Sequence, residues 1–334
     1  MVTIPQNWAP DPEQMALMPD ISGNAINGLH EAQRRRPQVV YWAPDPDSIP
    51  HGAAQRWFYR RNDSSELAEE RHVRAAELAR PLPDQAPDGA QDGAALGPDA
   101  WSARIKAEGR RLGADDIGIA RLDPAWLYDG AAAKGRFVIV VAVRMDHAAL
   151  QSAPEMPAGV EAVRQYTRGL RIVRALAGWL RSQGAPAEPE PGPMTGSLTL
   201  IPAALAAGMG ELGKHGSLIH RELGAMFRLA AVLTDLELMP DAPDDFGADD
   251  FCTHCRICAE SCPPDAIFRS KQTVRGEVIW YVDFDRCLPF FNETAGCGIC
   301  LAVCPFSHPD RGPRLSAKLE RRKRRQGGVS ARID

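Results

Sequence analysis

Apolar and polar positions divide the chain into stretches that favour strand, helix or neither. Residues 137–143 form an unbroken apolar run of seven, the longest in the chain. Such a run predicts a strand buried on both faces at the centre of a sheet. Residues 117–120 and 229–236 predict two further strands. From about 160 to 183, Val163, Tyr166, Leu170, Val173, Ala177 and Leu180 recur at steps of three and four. That spacing is one face of a long helix, which Gly184 and Pro186 end. Shorter helices are predicted over 66–78 and 101–112, the second stopped by Gly113.

The rest is less regular. Residues 1–80 mix proline-rich patches such as Ala43-Pro44-Asp45-Pro46 with the bulky side chains of Trp42, Trp57, Phe58 and Tyr59. Surface of that kind docks an arm onto a body, and part of it can line a pocket. Residues 81–100 hold four Pro, three Gly and four Asp with no Lys or Arg, the composition of a surface linker. The expected organisation is an N-terminal arm and linker over 1–98, an α/β (α+β) core over 99–245, a cysteine-bearing domain over 246–313 and a basic tail over 314–334. No internal repeat is apparent outside the cysteine groups.

Composition adds limits. A chain of 334 residues with 44% hydrophobic and 25% charged residues can bury a substantial core. The net charge of −4 is uneven: 314–334 carries eight Lys/Arg against two acids, hence +6, and the rest −10. The run Arg321-Arg322-Lys323-Arg324-Arg325 reads first as exposed terminal charge, and otherwise as a contact for nucleic acid or an acidic electron donor. A membrane-spanning helix needs roughly 20 apolar residues, and no run approaches that. Neither the first residues nor Arg34-Arg35-Arg36 leads into a hydrophobic export region, so a cytoplasmic location is expected.

The chemistry is concentrated in one place. All eight cysteines fall within 53 residues, as Cys252-x2-Cys255-x2-Cys258-x3-Cys262-Pro263 and Cys287-x9-Cys297-x2-Cys300-x3-Cys304-Pro305. Such runs hold [4Fe–4S] clusters, with the last cysteine of each run serving the other cluster. Cys252, Cys255, Cys258 and Cys304 then form one set, and Cys262, Cys287, Cys297 and Cys300 the second. Structural zinc prefers paired cysteines split by longer loops, and disulfide frameworks suit small secreted chains. Both fit this pattern poorly. A glycine-rich stretch, Gly208-Met209-Gly210-Glu211-Leu212-Gly213-Lys214-His215-Gly216, lets backbone approach something bulky or simply turns. It lacks the spacing and ending of a phosphate loop.

Several blocks together resemble the cobamide-dependent reductive dehalogenases. They are Leu112-Gly113-Ala114-Asp115 through Gly118-Ile119-Ala120, then Val140 to Asp146 with Ala153-Pro154, then Gly208 to Gly213, then Arg228 to Leu236, and last the cysteine groups. The resemblance covers roughly 100–310. It implies a nitroreductase-like cobalamin-binding core followed by a ferredoxin-like domain with two [4Fe–4S] clusters. It further implies a base-off cobamide, in keeping with the lack of an Asp-x-His-x-x-Gly signature. Gly208, Gly210, Gly213, Gly216 and Phe306 are the implied cofactor contacts.

The resemblance also implies catalysts. Tyr166, thirteen residues before Trp179, matches the family's proton-donating tyrosine, and Arg228 matches the basic residue that supports it; Lys214 is the reserve cation. A free phenol ionises near ~10, and a nearby cation favours the phenolate left after donation. Without the resemblance, Tyr166 reads first as a core residue on its apolar stripe. Neither the twin-arginine export signal of the family's respiratory members nor the flavin and ferredoxin module of its self-sufficient members is expected here, so an external ferredoxin or flavodoxin is the expected donor and a small organohalide the expected substrate. Two other readings stand beside this one. One is an epoxyqueuosine-reductase-like enzyme acting on tRNA, whose acidic proton donor would fall near Arg171, making nucleic acid an unexpected partner. The other is a non-catalytic electron-transfer or cobamide-handling protein.

Overall fold

The computed structural model describes residues 2, 4, 5, 7–82, 96–193 and 196–330. Most of the expected linker, and the last four residues of the tail, lie outside the described residues.

Four strands make the central sheet: β1 (Asp116–Arg121), β2 (Phe137–Arg144), β3 (Ala187–Glu190) and β4 (Phe227–Thr234). Their order is β1-β2-β4-β3, antiparallel throughout, with Ile119 opposite Ile139 and Val140 opposite Ala231. Side chains alternate across a strand. Phe137, Ile139, Val141 and Val143 therefore join one core, and Val138, Val140 and Ala142 the other. The first core is closed by Ile172, Val173, Leu176 and Leu180 of the long helix Met156–Ser182, and by Trp101 and Ile105 of the helix Pro98–Arg111. The second is closed by Ala203 and Ala204 of the helix Leu200–Ala206. The apolar run thus sits at the middle of a three-layer sandwich, as its composition requires. β3 was not anticipated; it lies at the sheet edge, where Pro189 costs no interior ladder bond.

The apolar stripe of the long helix has two fates. Val173, Ala177 and Leu180 pack on the sheet, and Leu170 is fully buried. Val163 and Tyr166, nearer the N-terminal end, face a cavity instead. Here the helix runs beside the cysteine domain, so closely that a Cβ on Gly159 would stand 2.4 Å from the Ala295 carbonyl.

The arm clamps both parts. Trp8 Nε1 donates to Glu293 Oε2 at 2.7 Å and the Tyr41 hydroxyl donates to Asn292 Oδ1 at 2.8 Å. Both acceptors lie on or beside the end of the helix Phe284–Glu293, which carries Cys287. Farther on, the arm helix Ser65–Ala79 lies along the long helix. Ser64 caps its start, accepting the Leu67 N–H at 3.2 Å. Glu70 and Glu77 pair with Arg164 at 2.9 Å and Arg171 at 3.0 Å.

The tail begins as the helix Arg311–Ser330. Leu315 and Leu319 pack on the cysteine domain's core, while Arg321, Arg322, Arg324 and Arg325 are exposed. Among the described residues no helix is long and apolar enough to cross a membrane.

Candidate active site

The eight cysteines form no disulfides and separate into two sets. Cys252, Cys255, Cys258 and Cys304 line a small cavity together with Lys214, His215, Phe251 and Phe306. Cys262, Cys287, Cys297 and Cys300 open instead onto a much larger cavity of about 750 Å³. The last cysteine of each run has crossed to the other set. Local backbone explains how. Pro263 and Pro305 follow the crossing residues and cannot continue a hydrogen-bonded turn. Ala295, Gly296, Cys297 and Gly298 all have positive φ, curling the loop so that the N–H groups of Ile299 and Gly298 bond the Cys297 sulfur.

Burial pushes these thiols up, to about 11 for Cys252 and Cys297 and about 12 for Cys258, Cys287 and Cys304. Buried sulfurs of this kind are held as thiolates when a metal binds them. Iron in a cluster would be that metal, and the donor set of four sulfurs per cavity suits one.

The glycine-rich stretch joins core to cysteine domain. Glu211 Oε1 accepts the N–H groups of Phe246, Gly247 and Ala248 at 2.8, 2.7 and 2.9 Å, and Oε2 accepts that of Asp249 at 2.9 Å. A buried carboxylate therefore caps the helix Ala248–His254, which bears Cys252. Nothing in the sequence reading singled out Glu211. The glycines around it do less than expected at the cavity. A Cβ at Gly208 would meet the Ala242 carbonyl at 2.4 Å, and one at Gly210 the Ile219 carbonyl at 2.1 Å. These two answer to close backbone packing. Gly213 faces the His215 ring, and Gly216 alone of the four lines the large cavity. Phe306 is buried edge-on against Phe246 and Phe251, at the first thiol set.

Lys214 is a correction. It does not stand with Tyr166; its Nζ donates to the Cys255 carbonyl at 2.7 Å and lies 5.0 Å from the Trp280 ring centroid. The tight turn between Gly213 and Gly216 sends it to the small cavity. His215 lines both cavities. Its Nδ1 accepts the Ser217 N–H at 3.2 Å, which places the proton on Nε2, and Nε2 is buried without a partner. Burial holds the ring down to about 4.

Tyr166 and Arg228 do meet. The Arg228 guanidinium lies 5.2 Å from the Tyr166 ring centroid, and both side chains line the large cavity. The arm supplies a second group: Trp42, Phe58 and Tyr59, from the aromatic patch that the sequence offered as pocket lining, and Arg71 and Arg74, which it did not mark. Arg171 is ion-paired to Glu77 and is not among the cavity's lining residues.

The 4Fe-4S dicluster domain family matches residues 251–308. Over a longer span, the tetrachloroethene reductive dehalogenase of Sulfurospirillum multivorans is 29% identical across 250 residues, 61% of this chain and 49% of that protein. Its namesake from Desulfitobacterium hafniense is 34% identical across 209 residues, 58% of this chain and 37% of its own. Over that span this chain is similar to reductive dehalogenases. It spans about half the length, or less, of those curated reductive dehalogenases. Among solved structures, the catabolic reductive dehalogenase NpRdhA has the same fold, with a TM-score of 0.75 at 24% identity over 91% of this chain and 47% of that one. That protein has also been solved with 3-bromo-4-hydroxybenzoic acid. Over a shorter stretch, the epoxyqueuosine reductase of Cyclobacterium marinum is 34% identical across 119 residues, 32% of this chain and 37% of that protein.

Proposed function

We propose that this chain removes halogen reductively from an organohalide, specifically a halogenated aromatic, using cobalamin and two [4Fe–4S] clusters. One observation carries the reading. Tyr166 and Arg228 share a single cavity with Cys262, Cys287, Cys297 and Cys300.

The cavity's residues fit a large ring with apolar faces and a polar rim. Leu150, Val163, Ile201 and Leu205 give apolar wall, and the buried, unpartnered His215 Nε2 and Arg228 Nε give hydrogen-bond donors. Gly216, Ser217 and Leu212 are the backbone-rich segment that would hold it. When bound, cobalamin supplies a low-valent cobalt centre for the carbon–halogen bond, and the clusters supply low-potential electrons.

The chain's own residues do the rest. Replacing halogen by hydrogen takes two electrons and one proton and releases halide. Tyr166 donates the proton to the carbon, as a general acid inside the cavity. Arg228, over its ring, stabilises the phenolate that remains. Trp42 and Phe58 of the arm wall the cavity and keep bulk water from the reacting carbon. A separate ferredoxin or flavodoxin supplies electrons from the side of Cys252, and the cytoplasm is the compartment.

The test is halide release from a panel of haloaromatics by cofactor-loaded protein with reduced viologen. Turnover is expected for at least one. Loaded protein that releases no halide from any organohalide removes the reading and leaves electron transfer or cofactor handling.

A further inference from the structure

Four arginines line the large cavity, and one of them, Arg275, donates to the Asn27 carbonyl. Arg71 and Arg74 stand one turn apart on the arm helix, and Arg228 comes from β4. They interleave with two phenols. Arg71 lies 5.0 Å from the Tyr59 ring centroid and Arg228 lies 5.2 Å from that of Tyr166. Arg74 interacts electrostatically with both tyrosines.

The charge at this wall is not balanced. Arg71 gives Nη2 to Asp63 at 2.8 Å, yet its Nη1 is buried with no partner. Arg74 is left with the backbone carbonyls of Pro191 and Pro193, at 3.3 and 3.1 Å. Among the described residues neither Arg74 nor Arg228 is in an ion pair. The one carboxylate lining the cavity, Glu277, pairs with Arg34 at 3.4 Å. Burial draws Arg74 below the usual arginine range, opposed by Tyr166 and Tyr59. A half-buried guanidinium facing a cavity with no counter-charge is costly unless an anion arrives. Its planar fork matches a carboxylate, and flanking phenol rings offer faces for an aromatic body.

Building on the dehalogenation reading, we propose that Arg74, assisted by Arg71, is a specificity site that binds a carboxylate of the substrate, so that the chain selects haloaromatic acids over neutral organohalides. The arm therefore sets substrate choice, while Tyr166 and Arg228 serve the reacting carbon.

The test uses two halogen-free probes, benzoate and benzamide, titrated calorimetrically into cofactor-loaded protein. Benzoate is expected to bind at least about tenfold more tightly, a preference that Arg74→Gln abolishes and Arg74→Lys, which keeps the charge but not the planar fork, retains only in part. Arg71→Gln should reduce it in part. Equal binding of both probes by the unaltered chain overturns the proposal, as does an Arg74→Gln change that weakens both alike. Corrinoid content is measured in the same samples. If Arg74→Gln loses corrinoid and keeps the benzoate preference, the cation serves the cofactor's phosphate and the proposal is wrong. Halide release from chlorobenzoates and chloroethenes is followed separately. Benzoate preference without any halide release upholds the carboxylate site and removes the dehalogenase reading. Halide release without that preference does the reverse.

Discussion

The Arg228 guanidinium sits 5.2 Å from the centre of the Tyr166 ring, with its Nε buried and unpartnered. A cation held against a phenol inside a cavity is poised to stabilise charge that appears on the ring oxygen. Tyr166→Phe removes the acidic proton and keeps the ring under Arg228. Halide release should fall ~10²–10⁴-fold, while iron, sulfide and corrinoid contents stay unchanged. Unaltered turnover in that variant would take Tyr166 out of the chemistry.

Glu211 ties the core to the cysteine domain through four backbone N–H groups at the head of the helix Ala248–His254. Glu211→Ala strips all four of their acceptor. Removing a charged partner and leaving buried donors unpaired costs about 1–3 kcal/mol. Thermal melting should shift down accordingly. Iron retention at the Cys252 set should drop before that at the Cys287 set. A melting temperature equal to that of the parent chain contradicts the clamp.

The crossing of the last cysteines has a sharp signature. Cys262→Ser alters a residue of the first run, yet Cys262 stands with Cys287, Cys297 and Cys300. Reduced-state EPR should lose or convert the cluster bordering the large cavity and leave the other intact. Cys304→Ser should do the opposite, because Cys304 stands with Cys252, Cys255 and Cys258. Spectra in which each substitution disturbs the cluster of its own run would contradict the grouping.

Glu190 supplies a pH dependence. Burial raises its carboxyl above the usual range, against the Ser197 N–H at 2.6 Å and the Ser197 hydroxyl at 2.7 Å. A folded-state value above the unfolded one gives stability that is fully present below the unfolded value and lost as pH rises through the folded value. Glu190→Gln cannot titrate. Its melting temperature relative to the parent should therefore become more favourable as pH rises from 4.5 toward 8. A difference that is flat across this range means that Glu190 is not so perturbed.

Much of this was readable from residues alone. The 137–143 run had to lie inside, and β2 lies at the centre of the sheet with both faces covered. Cysteine spacing marked the two sets because short gaps force neighbours onto one cluster. The limits were physical too. One helical stripe can serve a core and a cavity at once, so periodicity could not say where Tyr166 leaves the sheet. Lys214 went astray because a tight turn reverses direction within a residue or two. Arg71 and Arg74 look like any charged positions on a surface helix until the arm is seen folded over the cavity. Glu211 hid among glycines, since its partners lie 35 to 38 residues away.

The most direct measurement is made on protein produced in a cobalamin-supplied host. Metal and sulfide analysis is joined to optical and EPR spectra of the same sample. Two [4Fe–4S] clusters and a stoichiometric corrinoid with a base-off cobalt(II) signal are expected. Protein that carries its full iron and sulfide yet takes up no corrinoid would contradict the proposed function.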